Sequence, residues 1–202
     1  FYFGDLHQYI RSRDFSDAGG EMYRCWLLPP ANRADFVLHA TDRIFDIVPD
    51  DLASHHTYVG PMFWEMAGSG LDLLDKPGPP WVLITLSTSP QPGDTDIVRT
   101  ALKPLGTMNV RVLVTLAPGH DKGALGRIPD NVFVAGYVPH SKVLPHCRLV
   151  ISHAGHGIVM KAMTHGVPMV LVPWGRDQPG VAVRAQRLGT ARVVPRERCN
   201  VD

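Results

Sequence analysis

No stretch of this 202-residue sequence holds the ~18 consecutive apolar residues of a membrane-spanning helix, so no transmembrane segment is expected. Neither sign of charge is in excess. The formal net charge is +1, which argues for neither a nucleic-acid nor a membrane partner. Cysteine is scarce: Cys25, Cys147 and Cys199 are far apart and odd in number. That argues against a disulfide framework and for a reducing, cytoplasmic setting, and their spacing suggests no zinc site or other metal. The opening residues, FYFGDLHQYIRSRD, lack the pattern of a signal peptide. There is no internal repeat. No Gly-x-Gly-x-x-Gly follows the apolar run that ends at Leu86, which ranks an NAD-binding domain low. Against these lacks stand 19 glycines and 18 prolines in a chain that is 45% apolar, a composition of many turns between short buried elements.

The chain is organised around residues 149–178, LVISHAGHGIVMKAMTHGVPMVLVPWGRDQ. An apolar strand over 149–152 runs into a turn holding His153, Gly155 and Gly157. A helix follows to about His165, where Gly166 stops it. A second strand over 168–172 ends at Pro173, and the next loop carries Asp177 and Gln178. This is a βαβ unit. Parallel strands place their ligands at their carboxyl ends, so both polar clusters share one edge of a sheet.

The chemistry of that edge points to a diphosphate. Gly155 and Gly157 allow close backbone approach and leave free N–H groups at a helix N-terminus, where the dipole adds partial positive charge. His153 can donate to a phosphate oxygen when neutral, or pair with it when protonated. Asp177 and Gln178 supply acceptors and an amide donor suited to sugar hydroxyls. A glycine turn packed on a strand, with an ordinary loop histidine, fits the His-x-Gly-x-Gly residues alone equally well. The ordered set of strand, turn, helix, Gly-Val-Pro, strand and Asp-Gln is far more specific.

Further strands are expected at 81–86 (WVLITL), 110–116, 131–135 and 191–194, and a short one at 34–40. The continuous apolar runs suit strands buried on both faces. Ser87, Thr88 and Ser89 follow the first of them. A loop in that position often meets the ligand, although a plain hydroxyl-rich turn fits as well. Asp94 or Thr95 caps a helix to about Leu105, Ser141 caps a short one to His146, and Pro179 opens a last one. His120, in the loop 118–121, reads as solvated rather than as a ligand. Residues 45–61 read as a linker and 65–80 as a mobile surface segment. A turn is expected at 17–20.

At these residues the sequence resembles the nucleotide-sugar-binding half of the GT-B glycosyltransferases, in particular the bacterial natural-product branch and its UDP-glycosyltransferase relatives. The family pattern of His-x-Gly-x-Gly/Asn-Ser/Thr, helix, Gly-Val-Pro, Asp-Gln stands here as His153-Ala154-Gly155-His156-Gly157-Ile158, then Gly166-Val167-Pro168, then Asp177-Gln178. The resemblance implies an α/β fold, a Rossmann-like parallel sheet with flanking helices, plus a fragment of a second domain. Residues 1–60 would be the tail of an acceptor-binding domain and its linker, and 61–202 a donor-binding domain truncated at its C-terminus.

The implied function is an inverting transfer of a hexose or deoxyhexose from a UDP- or dTDP-sugar to a hydroxyl of a small-molecule natural product or lipid. His153 would stabilise the leaving diphosphate. Ser87, Thr88, Tyr137, Val138, Gly155, Gly157, Ile158, Asp177 and Gln178 would hold the donor. Tyr137 would stack on the base and the Val138 backbone would read its edge, although a core role also fits Tyr137. The general base would lie in a missing N-terminal acceptor domain, leaving this chain inactive alone. No cofactor is implied. The alternatives are a non-catalytic donor-binding subunit of a two-chain enzyme and a nucleotide-sugar epimerase of the same fold.

The chain departs from the family at four places. Ile158 replaces a phosphate-binding Ser or Thr, leaving its backbone N–H. Lys161 stands where relatives use Glu for ribose hydroxyls; it would reach a phosphate or, preferably, be solvated. His140 replaces a Gln at the ribose, and Val181 an Asn.

Overall fold

A computed structural model describes residues 35–88, 90–91 and 93–199. The turn expected at 17–20, Cys25 and Ser89 lie outside the described residues. The chain divides between Met62 and Phe63 into two compact units.

In the first unit, β1 (Val37–His39) and β2 (His56–Tyr58) pair in parallel. β2 lies inside the stretch expected to be a linker. Three residues are too few to show an alternating pattern, and its support is long-range. The His39 ring stacks on those of His56 and Tyr58, with centroids 5.1 and 4.5 Å apart. The Tyr58 hydroxyl donates to Asp46 at 2.7 Å.

The second unit is built on six parallel strands: β3 (Trp81–Thr85), β4 (Arg111–Thr115), β5 (Val132–Ala135), β6 (Cys147–Ser152), β7 (Met169–Leu171) and β8 (Ala191–Val193). Their spatial order is β5-β4-β3-β6-β7-β8. This is the doubly wound order 3-2-1-4-5-6. Leu113, Leu83, Val150 and Met169 are register partners in one row, and Val114, Ile84, Ile151 and Val170 in the next. Successive rows face opposite sides of the sheet. The second row packs with Ile97, Val98, Leu102 and Leu105 of α1 (Asp94–Leu105). Both faces are covered, which is why the strands read as unbroken apolar runs.

The remaining helices are α2 (His140–Val143), α3 (His156–Thr164) and α4 (Gln178–Arg187). Beyond α3, Gly166 turns the chain at φ +65°, a conformation that penalises any Cβ. Among the described residues no helix is long and apolar enough to cross a membrane.

Three local expectations are corrected. Neither Asp94 nor Thr95 caps α1 through its side chain: Gly93 precedes the helix, and the Asp94 carboxylate turns back to accept the Gln91 N–H at 2.9 Å. Ser141 does not cap α2. The N–H groups of His140 and Ser141 donate instead to Glu65, at 2.8 and 3.3 Å. Residues 65–80 are therefore anchored to the sheet unit rather than loose. Glu65 is also bonded to Lys161 Nζ at 2.7 Å, Leu74 is buried, and Arg111 donates to the carbonyls of Lys76 and Pro79. Lys161 is thus neither solvated nor free to reach a phosphate, because its charge is spent on Glu65.

The Glu65–Lys161 pair is only 16% and 14% exposed, so water screens it little. Burial alone would raise the Glu65 pKa, but Lys161 and the Ser141 N–H overcome it and hold the carboxyl down at about 2. A depressed carboxyl stabilises the fold above its unfolded pKa and loses that contribution as pH falls through the folded one. Replacing Glu65 by Gln should cost about 2 kcal/mol at pH 7. The deficit relative to wild type should shrink between pH 4.5 and 2, as urea unfolding across that range would measure.

Candidate donor-binding site

The winding reverses between β3 and β6: β3 leads outward through α1 to β4, and β6 leads the other way through α3 to β7. The loops diverge there and leave a crevice at the carboxyl ends of the strands. The floor is polar. Thr115, Thr85 and Ser152 are register partners across the sheet, all buried. His140 Nε2 lies 3.4 Å from the Thr85 hydroxyl and 3.3 Å from that of Thr115. Burial and the nearby Lys161 charge push its pKa down to about 4, against the pull of Glu65, so the ring is neutral at pH 7. His140 is therefore part of the floor, its Nε2 turned to the two threonine hydroxyls.

His153 stands above this floor, on the turn from β6 to α3. His153 is buried, with 9% of the residue exposed, and its Nδ1 has no hydrogen-bond partner among the described residues. Burial pushes its pKa down. Asp94, the backbone of Thr85 and Asp177 pull it back up, and His120 adds to the downward push. The structure thus gathers around one imidazole two residues the sequence singled out differently, Asp94 as a cap and His120 as a solvated residue, together with the expected Asp177.

The turn itself is strained at Ala154 (φ +67°), whose N–H donates to the buried Ser152 hydroxyl at 3.3 Å. Gly155 has ordinary dihedrals for any residue (φ −61°, ψ 138°), but a Cβ there would sit 2.5 Å from His153 Nε2. Its smallness makes room for the ring. A Cβ on Gly157 would meet open space. The first i→i−4 bond of α3 runs from the Val159 N–H to the Gly155 carbonyl, so the amides of Gly157 and Ile158 precede it as unspent donors of the turn. The Ile158 side chain is buried in the core and offers only this amide.

The other expected residues divide. Asp177 is half-buried and electrostatically coupled to His153. Gln178 is only 3% exposed; its side-chain oxygen accepts the Trp174 N–H at 2.9 Å and holds the Asp177 loop in shape. The Ser87 hydroxyl is buried and accepts from the Gln91 amide at 3.3 Å, whereas Thr88 is exposed. Val138 is buried, and Tyr137 is 43% exposed, its hydroxyl donating to the Met66 carbonyl at 3.1 Å. Tyr137, Gly136 and His120 line a cleft of about 460 Å³ at the ends of β4 and β5.

A cleft of about 430 Å³ at the opposite edge of the sheet carries Arg99, Lys103 and Arg127. Its cations are exposed, where a pair at 4 Å is worth ~1 kcal/mol, and the C-terminus of α1 points negative charge at it.

Residues 99–202, just over half of the chain, match the family described as Erythromycin biosynthesis protein CIII-like, C-terminal domain. The chain belongs to this family, a domain of GT-B glycosyltransferases. The chain is 31% identical over 148 residues to demethyllactenocin mycarosyltransferase of Streptomyces fradiae, a match spanning 72% of this chain and 31% of that protein. Its fold resembles that of the glycotransferase of kitacinnamycin (26% identity, TM-score 0.69, 84% of this chain and 46% of that one). It also resembles the glycosyltransferase VinC, solved in complex with dTDP (27% identity, TM-score 0.52, 65% and 33%). The chain thus spans about a third of the length of the mycarosyltransferase it matches.

Two substitutions separate the ring from the amides. Gly155→Ala should displace His153 and weaken nucleoside diphosphate binding about tenfold with the fold intact. Gly157→Ala should leave stability unchanged and weaken binding by obstructing the helix N-terminus. Circular dichroism and calorimetric titration on both variants would check this.

Proposed function

We propose that this chain is the nucleotide-sugar-binding part of a natural-product-type glycosyltransferase that transfers a hexose or deoxyhexose from a UDP- or dTDP-sugar, with inversion, to a hydroxyl of a small molecule or lipid. The observation that carries the proposal is a buried imidazole with an unpartnered nitrogen, set beside the unspent amides of α3 at the switch point of the sheet.

In this reading the acceptor oxygen attacks the anomeric carbon as the bond from that carbon to the diphosphate oxygen breaks. The nucleoside diphosphate leaves, and the acceptor proton passes to a base outside this chain. Negative charge grows on the diphosphate, where His153 and the amides of Gly157 and Ile158 are already oriented. His153 is held neutral by burial in the free chain. An arriving dianion reverses that balance, so the ring takes up a proton and its charge appears where the charge on the leaving group develops. Asp177, next to His153, accepts from sugar hydroxyls, and Gln178 fixes the loop that carries it. The cleft beside Tyr137 takes the base. No cofactor enters the reaction. Dispersed thiols, with Cys147 buried and unpaired, support a cytoplasmic setting.

Calorimetric titration with UDP, dTDP, GDP and NAD tests the proposal. UDP or dTDP should bind selectively, and His153→Ala should weaken the preferred one by at least about tenfold. Binding of NAD in preference, or affinity unchanged in His153→Ala, would contradict it.

A further inference from the structure

The loop after β4 carries a second histidine of the crevice. The His120 N–H bonds the Ala117 carbonyl at 3.2 Å, closing a turn. Gly119 in that turn has φ +94°, a left-handed conformation that excludes a side chain without strain, and a Cβ would press on Pro90 at 3.2 Å. The ring is thereby directed from the end of β4 toward the end of β3, where Nε2 meets the Ser87 carbonyl at 2.8 Å. A carbonyl only accepts, so Nε2 carries the proton and Nδ1 of the neutral ring is left with a lone pair. Nδ1 makes no hydrogen bond among the described residues.

The position of the ring gives that lone pair a use. On one side it lines the cleft beside Gly136 and Tyr137. On the other it lies within electrostatic range of His153. A nucleoside diphosphate with its base in the cleft and its phosphates at α3 has its pentose between the two. The residues at the positions where relatives bind pentose hydroxyls are otherwise engaged: His140 is bonded to Thr85 and Thr115, and Lys161, which cannot accept, is paired with Glu65. We propose that His120 is the pentose-reading residue of the donor site, its Nδ1 accepting the 3′-hydroxyl while Nε2 braces the Ser87 turn. This rests on the donor-binding reading above.

The test is a comparison of dTDP with 3′-deoxy-dTDP on the wild-type chain, His120→Ala and His120→Gln. Wild type should prefer dTDP about fivefold, the worth of one neutral hydrogen bond. His120→Ala should lose that preference, and His120→Gln, whose amide can both donate and accept, should recover part of it. If His120→Ala weakens both nucleotides equally, the ring only braces the loop and the inference fails while the donor-binding reading stands. If the wild-type chain binds neither nucleotide, the donor-binding reading itself fails.

Discussion

The site depends on the reversal of winding between β3 and β6. Two parallel strands lie side by side, and their connections leave in opposite directions. Each loop ends in a helix start or a turn with polar groups to satisfy. The amides of Gly157 and Ile158, the imidazoles of His153 and His120, and the carboxylates of Asp94 and Asp177 meet there because the topology leaves them no other edge. The proposed ligand, with concentrated negative charge at one end and hydroxyls near it, would satisfy the set.

Charge beneath this crevice is cancelled or kept neutral at Glu65, Lys161 and His140. Glu65 and Lys161 neutralise each other, and the carboxylate also closes the N-terminus of α2. His140 is kept neutral over a row of hydroxyls. His153 is kept neutral by burial, but the two carboxylates within its reach oppose that burial. In the proposed reading an arriving diphosphate supplies the charge that protonates His153.

How much of this was legible in the sequence varies with the range of the interactions. The six strands of the main sheet and the helices α1, α3 and α4 fall within a few residues of expectation, because unbroken apolar runs and glycine stops are local signals. The His153 turn was legible for the same reason. Glu65 was not: its partners lie 75 and 96 residues away, and a lone glutamate in a Gly/Pro-rich stretch reads as solvated. Two other histidines show the limit from the other side. Pro139-His140 gives no local sign that its ring will reach two strands. His120 had a usable one, since every loop after a parallel strand opens on the ligand edge. Composition had made that loop look merely exposed.

The central claim is that a donor diphosphate sits on the α3 N-terminus beside His153. Diffraction from crystals of this chain grown with dTDP or UDP tests it most directly. The account predicts diphosphate density within hydrogen-bond distance of the His153 ring and the amides of Gly157 and Ile158, ~3 Å. Density in the basic cleft of Arg99, Lys103 and Arg127 at the opposite edge of the sheet, with the His153 turn vacant, would contradict it.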